Sequence, residues 1–555
     1  MNITVLKDYF CKSILMKNNF HMKSIPIKFV IILAAIYAFP LHAQSTKYFF
    51  YVQFKNKNST VYSLDNPSAY LSQRAIYRRK LYSIPIDSTD LPVNPNYVSA
   101  ISNLGFKIHC STKWLNGVTV LVKDSTLISK IRKLPYVKFV QYTGITNEDI
   151  LASPRQQVSD QTNFDYGVAA TQINQLNGSI LYVNGFRGEN IHIAILDAGF
   201  RNVDKNPAFD SLRLENRLLG TMDFVNPSSN IYTEDTHGAY VLSTMAANVP
   251  GKFLGTAPKA SYLLIRTEAA TGEYLCEPDF WVSGIEMADS AGIDLATTSL
   301  GYTEFDNSSM NYKYADLNGK TARASIAASL ACKKGMMLLN SAGNEGNKSW
   351  KYISVPSDAE GVITVGAVTA NGTPTSFSSI GPTPDGRLKP ELCAMGSGSA
   401  LISTEGNPAA GSGTSYSCPI LAGMTACYLQ AARNKSKGLN LDDLKEILFR
   451  SGSQYFNPTP QMGYGIPNFE IAYEELKNIR NVNLNAKKSV KVLIKAENQI
   501  LRVRLDEKEG LTSGIARLFT LTGQKIAEQS FNTSDIRLNI ERLENGIYIL
   551  QIDKK

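Results

Sequence analysis

The 555-residue sequence lacks three features that mark common functional classes. It has no block of Lys and Arg, and its net charge of +9 is modest for its length, so nucleic acid is not an expected partner. Its seven cysteines include no Cys-x-x-Cys pair, which argues against a zinc site. Its N-terminal apolar run, Phe29 to Phe39, is too short to span a bilayer comfortably.

The flanks of this apolar run are typical of a secretory signal. A short basic region, Met22 to Lys28, precedes it, and residues 41–43 end in the small residue Ala43 before Gln44. We therefore predict that residues 1–44 are a leader and a cleaved signal peptide, with a membrane anchor as the alternative. The unusual length before Met22 suggests that translation begins at that methionine.

A serine stands at the start of an apolar helical segment in the stretch Gly411 to Pro419. The small residues before Ser415 allow a tight turn, and a helix N-terminus presents free N–H groups and the positive end of its dipole to an anion. Pro419 fits within the first helical turn, where its missing N–H removes no hydrogen bond. The pattern favours a nucleophilic serine, although a loop that merely caps a core helix has the same composition.

Histidine is scarce, so the choice of a base for this serine is narrow. His192 lies within an apolar run that predicts a buried parallel strand, and we interpret it as structural. His237 lies in a polar turn that opens into a helix of small residues, where its ring can face a cleft, so it is the favoured base. The other three lie in the leader, the signal and a segment that we expect to be removed: His21, His42 and His109.

Two further polar residues follow predicted buried strands. Asp197 closes the strand that contains His192, and ligands of open α/β sheets bind outside that edge, so it is placed to orient a histidine. Asn344 follows an apolar strand between two glycines, and its amide can donate to the oxyanion of a tetrahedral intermediate. The alternative roles are a helix cap or turn former for Asp197 and a turn residue for Asn344.

Four sequence blocks together resemble the subtilisin family of serine proteases, whose triad follows the chain order Asp, His, Ser. Two neighbours of the triad depart from the family pattern: Ala198 stands where Thr or Ser is usual, and Ala239 stands where Thr is usual. The blocks are Ala194–Gly199 around the acid, His237–Gly238 around the base, Ala342–Gly346 around the oxyanion donor, and Gly413–Ser415 with Pro419 around the nucleophile.

The resemblance covers roughly residues 185 to 470 and implies a fold. We expect an α/β, subtilisin-like doubly wound parallel sheet, which the alternation of apolar strands and helices in this region also favours. An extended peptide adds alongside the substrate-binding strand, and small residues form the pocket walls, for which we expect an apolar preference. The substrate-binding residues that it implies are Ser299, Leu300, Gly301, Ser341, Ala342 and Gly343.

A separate module precedes this predicted catalytic domain of residues 151–480. Residues 45–150 contain predicted strands and helices, including a capped helix from Pro67 to Ile76, and we expect a small α+β fold. Because export of an active protease is hazardous, a module that folds onto the enzyme and blocks its cleft is expected here. The module resembles the inhibitory propeptides of subtilisin-like precursors, and a permanent binding domain is the alternative.

The C-terminal residues 485–555 change to short amphipathic strands with Gly turns, which predicts a small β-sandwich. Two stretches, Leu521 to Lys525 and Leu543 to Tyr548, together with the terminal lysines resemble the sorting domain of type IX secretion in Bacteroidetes. The resemblance implies export through the periplasm to a secreted or cell-surface location. The alternative is an ordinary accessory β domain.

We expect a secreted serine endopeptidase that hydrolyses peptide bonds through an Asp-His-Ser triad and an acyl-enzyme. The expected partners are polypeptide substrates, its own propeptide and the outer-membrane secretion machinery. No cofactor is required; calcium sites occur in the family, but no ligand set is assigned here. The alternatives are a catalytically inactive binding or scaffold protein, and an esterase or transpeptidase with the same nucleophile.

Overall fold

The computed structural model divides the chain into two compact units, Met1–Asn478 and Ile479–Lys555. The predicted leader and signal at residues 1–44 lie outside the described residues. No helix within the described ranges is long and apolar enough to cross a membrane. The structure describes residues 46–146, 166–270, 272–435, 439–478, 492–497, 500–505, 513–520, 525–533, 535–540 and 548–554.

The N-terminal module is built on a four-stranded antiparallel sheet with the order β2-β3-β1-β4. Val52 and Val118 from neighbouring strands pack in one buried core with Ile101 and Ile131 from two helices. The module is the expected α+β fold. Its strands are β1 (Lys47–Phe54), β2 (Lys107–Thr112), β3 (Gly117–Val122) and β4 (Val137–Thr146), and its helices are α1 (Gln73–Leu81), α2 (Pro95–Asn103) and α3 (Ile128–Arg132).

The predicted helix from Pro67 to Ile76 is wrong in its bounds. Residues 67–69 form only a short 3-10 turn, and α1 begins six residues later than predicted. The reason is that the side chain of Ser72 accepts the N–H of Ala75, which caps the helix at that point. Three basic side chains occupy its last turn: Arg78, Arg79 and Lys80.

The centre of the first unit is a seven-stranded sheet with the order β13-β12-β11-β10-β5-β9-β6, in which every pairing is parallel. Its central strands are almost wholly buried, as expected for strands covered by helices on both faces. The predicted α/β fold is confirmed. The strands are β5 (His192–Asp197), β6 (Leu218–Asp223), β9 (Ser261–Arg266), β10 (Leu295–Thr298), β11 (Met337–Ser341), β12 (Ile363–Val368) and β13 (Leu392–Met395), with short pairs β7 (Asn248–Val249), β8 (Phe253–Leu254), β14 (Ser399–Ile402) and β15 (Pro408–Gly411).

Helices connect these strands and position the polar residues. The carboxyl ends of β5, β10 and β11 lead to Asp197, Ser299 and Ser341, so these residues lie at the same edge of the sheet. The helices are α4 (Ala170–Gln175), α5 (Ser179–Val183), α6 (Asp210–Leu214), α7 (His237–Ala246), α8 (Glu277–Ala291), α9 (Arg323–Lys333), α10 (Thr414–Lys435), α11 (Leu441–Arg450) and α12 (Phe469–Asn478).

The C-terminal unit contains two three-stranded antiparallel sheets, with the orders β16-β17-β20 and β19-β18-β21. Val503 and Ile536 from one sheet share a buried core with Ala516 and Phe531 from the other, as in a small β-sandwich. The strands are β16 (Val492–Glu497), β17 (Ile500–Leu505), β18 (Gly514–Thr520), β19 (Lys525–Phe531), β20 (Asp535–Asn539) and β21 (Tyr548–Lys554).

Candidate active site

Asp197 and His237 meet at the end of β5. The Nδ1 atom of His237 lies 2.7 Å from Oδ1 of Asp197. The carboxylate is fully buried, whereas 31% of the histidine side chain is exposed, so the ring joins a buried acid to the open cleft. Burial opposes a charge on the ring, but the Asp197 carboxylate outweighs it and raises the pKa of His237 above its ordinary value.

Two glycines allow the strand end and the helix start to approach this closely. A Cβ atom on Gly238 would lie 2.4 Å from the carbonyl oxygen of Gly199, and a Cβ on Gly199 would lie 2.3 Å from the backbone nitrogen of Asp235. Any other residue at either position would push α7 away from β5. Asp235 also accepts the backbone N–H of His237 at 2.7 Å, which satisfies one of the free donors at the helix start.

Among the described residues, only one oxygen of the Asp197 carboxylate has protein donors. Oδ1 accepts the backbone N–H of Ala198 at 2.8 Å as well as the histidine ring, while Oδ2 is buried with no hydrogen-bond partner within the described ranges. Residue 198 is one of the two positions at which the sequence departs from the family pattern by having no hydroxyl. The residue after Asp197 thus lacks a hydroxyl, and Oδ2 of Asp197 lacks a hydrogen-bond donor among the described residues.

Ser415 is the second residue of α10 and lies at the N-terminus of that 22-residue helix. Its hydroxyl donates to the backbone oxygen of Ser299 at 3.4 Å, a long hydrogen bond. The structure shows no hydrogen bond from this hydroxyl to His237 among the described residues, although the ring of the next residue, Tyr416, lies 6.3 Å from the histidine ring. Catalytic hydrogen bonds often form only once substrate is bound, so the apo geometry does not exclude a pairing of this serine with the histidine.

The placement of Pro419 differs from the sequence prediction. Because α10 begins at Thr414, this proline lies in the second turn, where it removes the N–H that would bond to the carbonyl of Ser415. The hydroxyl of Ser299 donates to that carbonyl at 2.9 Å instead. This hydrogen bond therefore joins the segment after β10 to the start of α10, at the carbonyl that the proline leaves without a helical donor.

Asn344 lies at the N-terminus of the same helix. Its Oδ1 atom accepts the backbone N–H of Thr414 at 2.9 Å and the hydroxyl of that residue at 3.1 Å. This pairing orients the amide so that Nδ2 is the group left to donate to a ligand. A Cβ atom on Gly413 would lie 3.7 Å from both Nδ2 and Oδ1 of this amide.

The predicted substrate-binding residues lie beside these groups. The strand is fixed at Leu300, whose backbone oxygen accepts Nδ2 of Asn340 at 3.1 Å, and Gly301 allows close packing because a Cβ there would lie 2.0 Å from Oγ of Ser354. The predicted pocket-wall residues begin at Ser341, the last residue of β11, and Gly343 has a positive φ of 106° and donates its N–H to Oγ1 of Thr414 at 3.2 Å. The buried members of the predicted set are Ser299, Ser341 and Ala342.

A cluster of three carboxyl groups lies near the predicted substrate-binding residues, and the sequence prediction missed it. Tyr302, the residue after Gly301, donates its hydroxyl to Glu268, and this carboxyl group lies within 4.8 Å of those of Glu273 and Glu277. Burial and the neighbouring carboxylates raise the pKa of all three, to about 7 for Glu273. The three acids lie close together in the sequence, between the end of β9 and the first residue of α8, but their burial depends on the tertiary fold.

A buried arginine that the sequence prediction also missed supports the loop after Asp197. Arg266 ends β9 and donates Nε–H to the backbone oxygen of Ala198 at 2.9 Å. Its guanidinium group is paired with Asp223 at 3.0 Å and with Glu234 at 3.2 Å. The ion pairs fix this arginine between the strand end and the turn that leads to α7.

His192, which was predicted to be structural, lies at the opposite end of β5, and burial lowers its pKa to about 4.

Three family models match successive parts of the chain. The model described as the subtilase family matches residues 188–466, which is half of the chain. The chain belongs to the subtilase family. A model of the peptidase S8 propeptide domain of Bacteroidota matches residues 49–162 of this subtilase, and a model of the secretion system C-terminal sorting domain matches residues 497–555.

Two curated proteins and one solved structure are similar to this chain. The subtilase is similar to subtilisin NAT of Bacillus subtilis subsp. natto, with 27% identity over 67% of this chain and 84% of the relative. It is also similar to the serine protease AprX of Bacillus subtilis strain 168, with 28% identity over 51% of this chain and 66% of AprX. A solved mutant of the protease domain of PatA has 22% identity and a TM-score of 0.43, over 53% of this chain and 98% of that domain.

The subtilase is thus a serine-type endopeptidase with a propeptide domain and a secretion sorting domain. The predictions of its family, its fold class and its type of activity are confirmed.

Proposed function

We propose that this subtilase hydrolyses polypeptides through Ser415 as nucleophile, His237 as base and Asp197 as the residue that orients the base. The observation that carries the proposal is the 2.7 Å contact between Nδ1 of His237 and the buried carboxylate of Asp197. Because Nδ1 is engaged by the carboxylate, Nε2 is the ring nitrogen that would take the proton of Ser415. An acid, a base and a helix-terminal serine at one sheet edge are the parts that acyl transfer needs.

In the first step, the Ser415 hydroxyl turns from the backbone oxygen of Ser299 to Nε2 of His237. As its oxygen attacks the substrate carbonyl, the proton passes to the ring, and Asp197 stabilises the resulting imidazolium through Nδ1–H. The ring then gives the proton to the leaving amine. Water repeats the sequence on the acyl-enzyme and releases the second product.

The developing oxyanion is stabilised at the start of α10. Nδ2 of Asn344 and the backbone N–H of Ser415 supply the two donors, and the dipole of the helix adds a favourable field. Because Asn344 is held through its Oδ1 by Thr414, its donor is positioned before substrate arrives. Such preorganised donors lower the barrier without a reorganisation cost during the reaction.

We also propose how the enzyme selects its substrate, how the precursor is kept inactive and where the protein is exported. An extended peptide pairs with Ser299, Leu300 and Gly301, while Ser341, Ala342 and Gly343 form small pocket walls that favour an apolar side chain. The N-terminal module inhibits the precursor, and the sorting domain is recognised by outer-membrane secretion machinery after passage through the periplasm. The chemical steps use side chains and water, so catalysis requires no cofactor, and any bound calcium has only a structural role.

The test compares the purified enzyme with its Ser415→Ala variant in hydrolysis of a quenched fluorescent peptide. Because triad members act as a unit, we expect turnover to fall by about 10⁶-fold. The circular dichroism spectrum should not change, because the side chain lies at a helix terminus. Comparison with ester substrates and with amine acceptors distinguishes a peptidase from an esterase or a transpeptidase.

Undiminished hydrolysis by the variant contradicts the assignment of Ser415. A wild-type enzyme that is folded, has lost its propeptide and still cleaves neither peptide nor ester contradicts the proposed hydrolysis altogether. That second outcome favours an inactive binding or scaffold protein.

A further inference from the structure

A cavity of about 230 Å³ lies between the end of β4 and the catalytic domain. On the propeptide side it is lined by three uncharged residues of β4, which are Tyr142, Gly144 and Ile145. On the catalytic side it is lined by residues 273–274, which precede α8, and by residues of the segment 305–310. When the propeptide domain is absent, these catalytic residues remain as an open pocket on the enzyme.

This cavity lies beyond the predicted substrate-binding residues. Ser299 marks the end nearest the nucleophile, because its backbone oxygen accepts the hydroxyl of Ser415 at 3.4 Å. The chain continues to Tyr302, which is held by two backbone hydrogen bonds with Val355 at 2.8 and 3.2 Å, and then to Asp306 at the cavity. A peptide that binds along this segment and extends away from the nucleophile therefore approaches the cavity.

Two carboxyl groups line the cavity, those of Glu273 and Asp306. Their segments are joined, since the backbone N–H of Asp306 donates to the backbone oxygen of Glu273 at 2.9 Å. Among the described residues, the carboxyl group of Glu273 receives no hydrogen bond, and neither acid forms an ion pair. Burial and Asp306 raise the pKa of Glu273 to about 7, and a cation in the cavity would favour its charged form.

Two further acids stand next to Glu273. One carboxylate oxygen each of Glu268, Glu273 and Glu277 lies within 4.8 Å of the others. Glu277 accepts the backbone N–H groups of Ala269 at 2.9 Å and Tyr274 at 2.8 Å, whereas Glu268 accepts a tyrosine hydroxyl. All of these donors are neutral, so within the described ranges no cation balances the charge beside the cavity.

The walls of the cavity determine which cation fits. The enzyme side includes the side chains of Tyr274, Phe305 and Met310, which are mainly apolar. A calcium ion takes about six to eight oxygen ligands, and Phe305 and Met310 have no side-chain oxygen. An Arg or Lys side chain packs its apolar stem against such walls, keeps its charged end at polar groups and is attracted by aromatic rings. A basic side chain therefore fits the cavity better than a bare metal ion.

We propose that Glu273 and Asp306 form a substrate subsite that selects an Arg or Lys side chain on the N-terminal side of the scissile bond. The proposal rests on the proposed hydrolysis of polypeptides. The side of the bond follows from β4, which packs against the enzyme at Gly144, where a Cβ atom would lie 2.9 Å from Cβ of Tyr274. The chain passes this point before the connection to Tyr166 that has to be cut, so a substrate on the same path presents an earlier residue here.

The experiment compares quenched fluorescent peptides that differ at one residue, which is either arginine or norleucine. This residue is placed at each position in turn on the N-terminal side of the scissile bond, and mass spectrometry verifies that the cleaved bond is the same. The active enzyme is obtained from the full chain. At one position we expect arginine to raise kcat/KM over norleucine on the order of tenfold, as hydrogen bonds to charged groups allow.

The variants Glu273→Gln and Asp306→Asn should each lower this arginine-to-norleucine ratio to about a third of the parent value or less, because a carboxylate binds a cation more strongly than an amide does. Glu304→Gln is the matched control, since it removes an exposed acid of the same segment that does not line the cavity. We expect its ratio to stay within about twofold of the parent ratio. Circular dichroism verifies that each variant is folded.

No preference for arginine at any position overturns the proposal, and so does an unchanged ratio in both Glu273→Gln and Asp306→Asn. An equal fall of the ratio in Glu304→Gln also overturns it. Equal losses on both peptides that added calcium restores would show that the acids hold a metal ion instead. Where Glu273→Gln is not folded, Asp306→Asn decides by the same threshold, because residue 306 is exposed.

The norleucine peptides separate this proposal from the proposed function. An enzyme that cleaves them without favouring arginine retains its peptidase activity but lacks the subsite. A folded enzyme that cleaves neither series contradicts the proposed hydrolysis, and the subsite with it.

Discussion

Removal of the Ser299 hydroxyl should destabilise the start of α10 because Pro419 provides no replacement donor. The carbonyl of Ser415 accepts this hydroxyl at 2.9 Å, and the proline removes the N–H that would otherwise reach it. A buried carbonyl without a partner costs about 1–3 kcal/mol. We therefore expect Ser299→Ala to lower the free energy of unfolding by an amount in this range.

A second substitution, combined with Ser299→Ala in a double-mutant cycle, restores a hydrogen-bond donor from within the helix. Pro419→Ala supplies an N–H four residues after Ser415, and this bond can replace the lost hydroxyl. In Ser299→Ala/Pro419→Ala, the loss should therefore be smaller than the sum of the single effects, by about 1 kcal/mol. All four proteins are compared by chemical unfolding in a Ser415→Ala background, which prevents self-digestion and keeps the backbone carbonyl. If the double variant lost a free energy of unfolding equal to the sum of the two single losses, the reasoning would be refuted.

Three further predictions concern the acid, the oxyanion donor and the carboxyl cluster. Because Asp197 raises the pKa of His237, kcat/KM should fall as the pH decreases through a midpoint above 6.5, and Asp197→Asn should move that midpoint down; an unmoved midpoint would contradict this. Asn344→Ala should lower kcat by about 10²–10³-fold, the range known for the oxyanion asparagine of subtilisin, with little change in KM; a change confined to KM would oppose the assigned role. Burial and Asp306 raise the pKa of Glu273 to about 7, so the folded state binds a proton on this carboxyl group more tightly than the unfolded state does. The free energy of unfolding should therefore decrease as the pH rises from about 4 to about 7. Glu273→Gln should reduce that fall in thermal unfolding, and an unchanged pH dependence would argue against the shifted pKa.

The sequence predicts those parts of the site that short patterns encode. Asp197 and Asn344 follow apolar strands, His237 opens a helix of small residues, and Ser415 follows a glycine-rich turn. Parallel strands bring their carboxyl ends to one edge, so these separate patterns imply one cleft. The seven-stranded sheet confirms the fold from which that reasoning starts.

Other features depend on contacts between distant segments and carry no local pattern. Arg78 and Arg79 are polar residues on a short helix, and such side chains are usually exposed. Their burial requires the ion pairs with Asp289, which is more than two hundred positions later in the chain. Likewise, the position of Pro419 in the second turn follows from the start of α10 at Thr414, whose N–H is accepted by Asn344 from the loop after β11.

Exposed strands are a third kind of feature that the sequence pattern does not show. Most side chains of β19 are exposed or half-buried, so its sequence lacks the apolar alternation that predicts a strand. The strand exists because its backbone pairs with β18, which has the clearer pattern.

The most direct test of the account is covalent labelling with a fluorophosphonate, followed by peptide mapping by mass spectrometry. We predict a single adduct on Ser415 in the active enzyme and a strongly reduced adduct in His237→Ala, because the serine is reactive only with its base. An adduct on another serine, or equal labelling of Ser415 in the folded His237→Ala variant, would contradict the central claim.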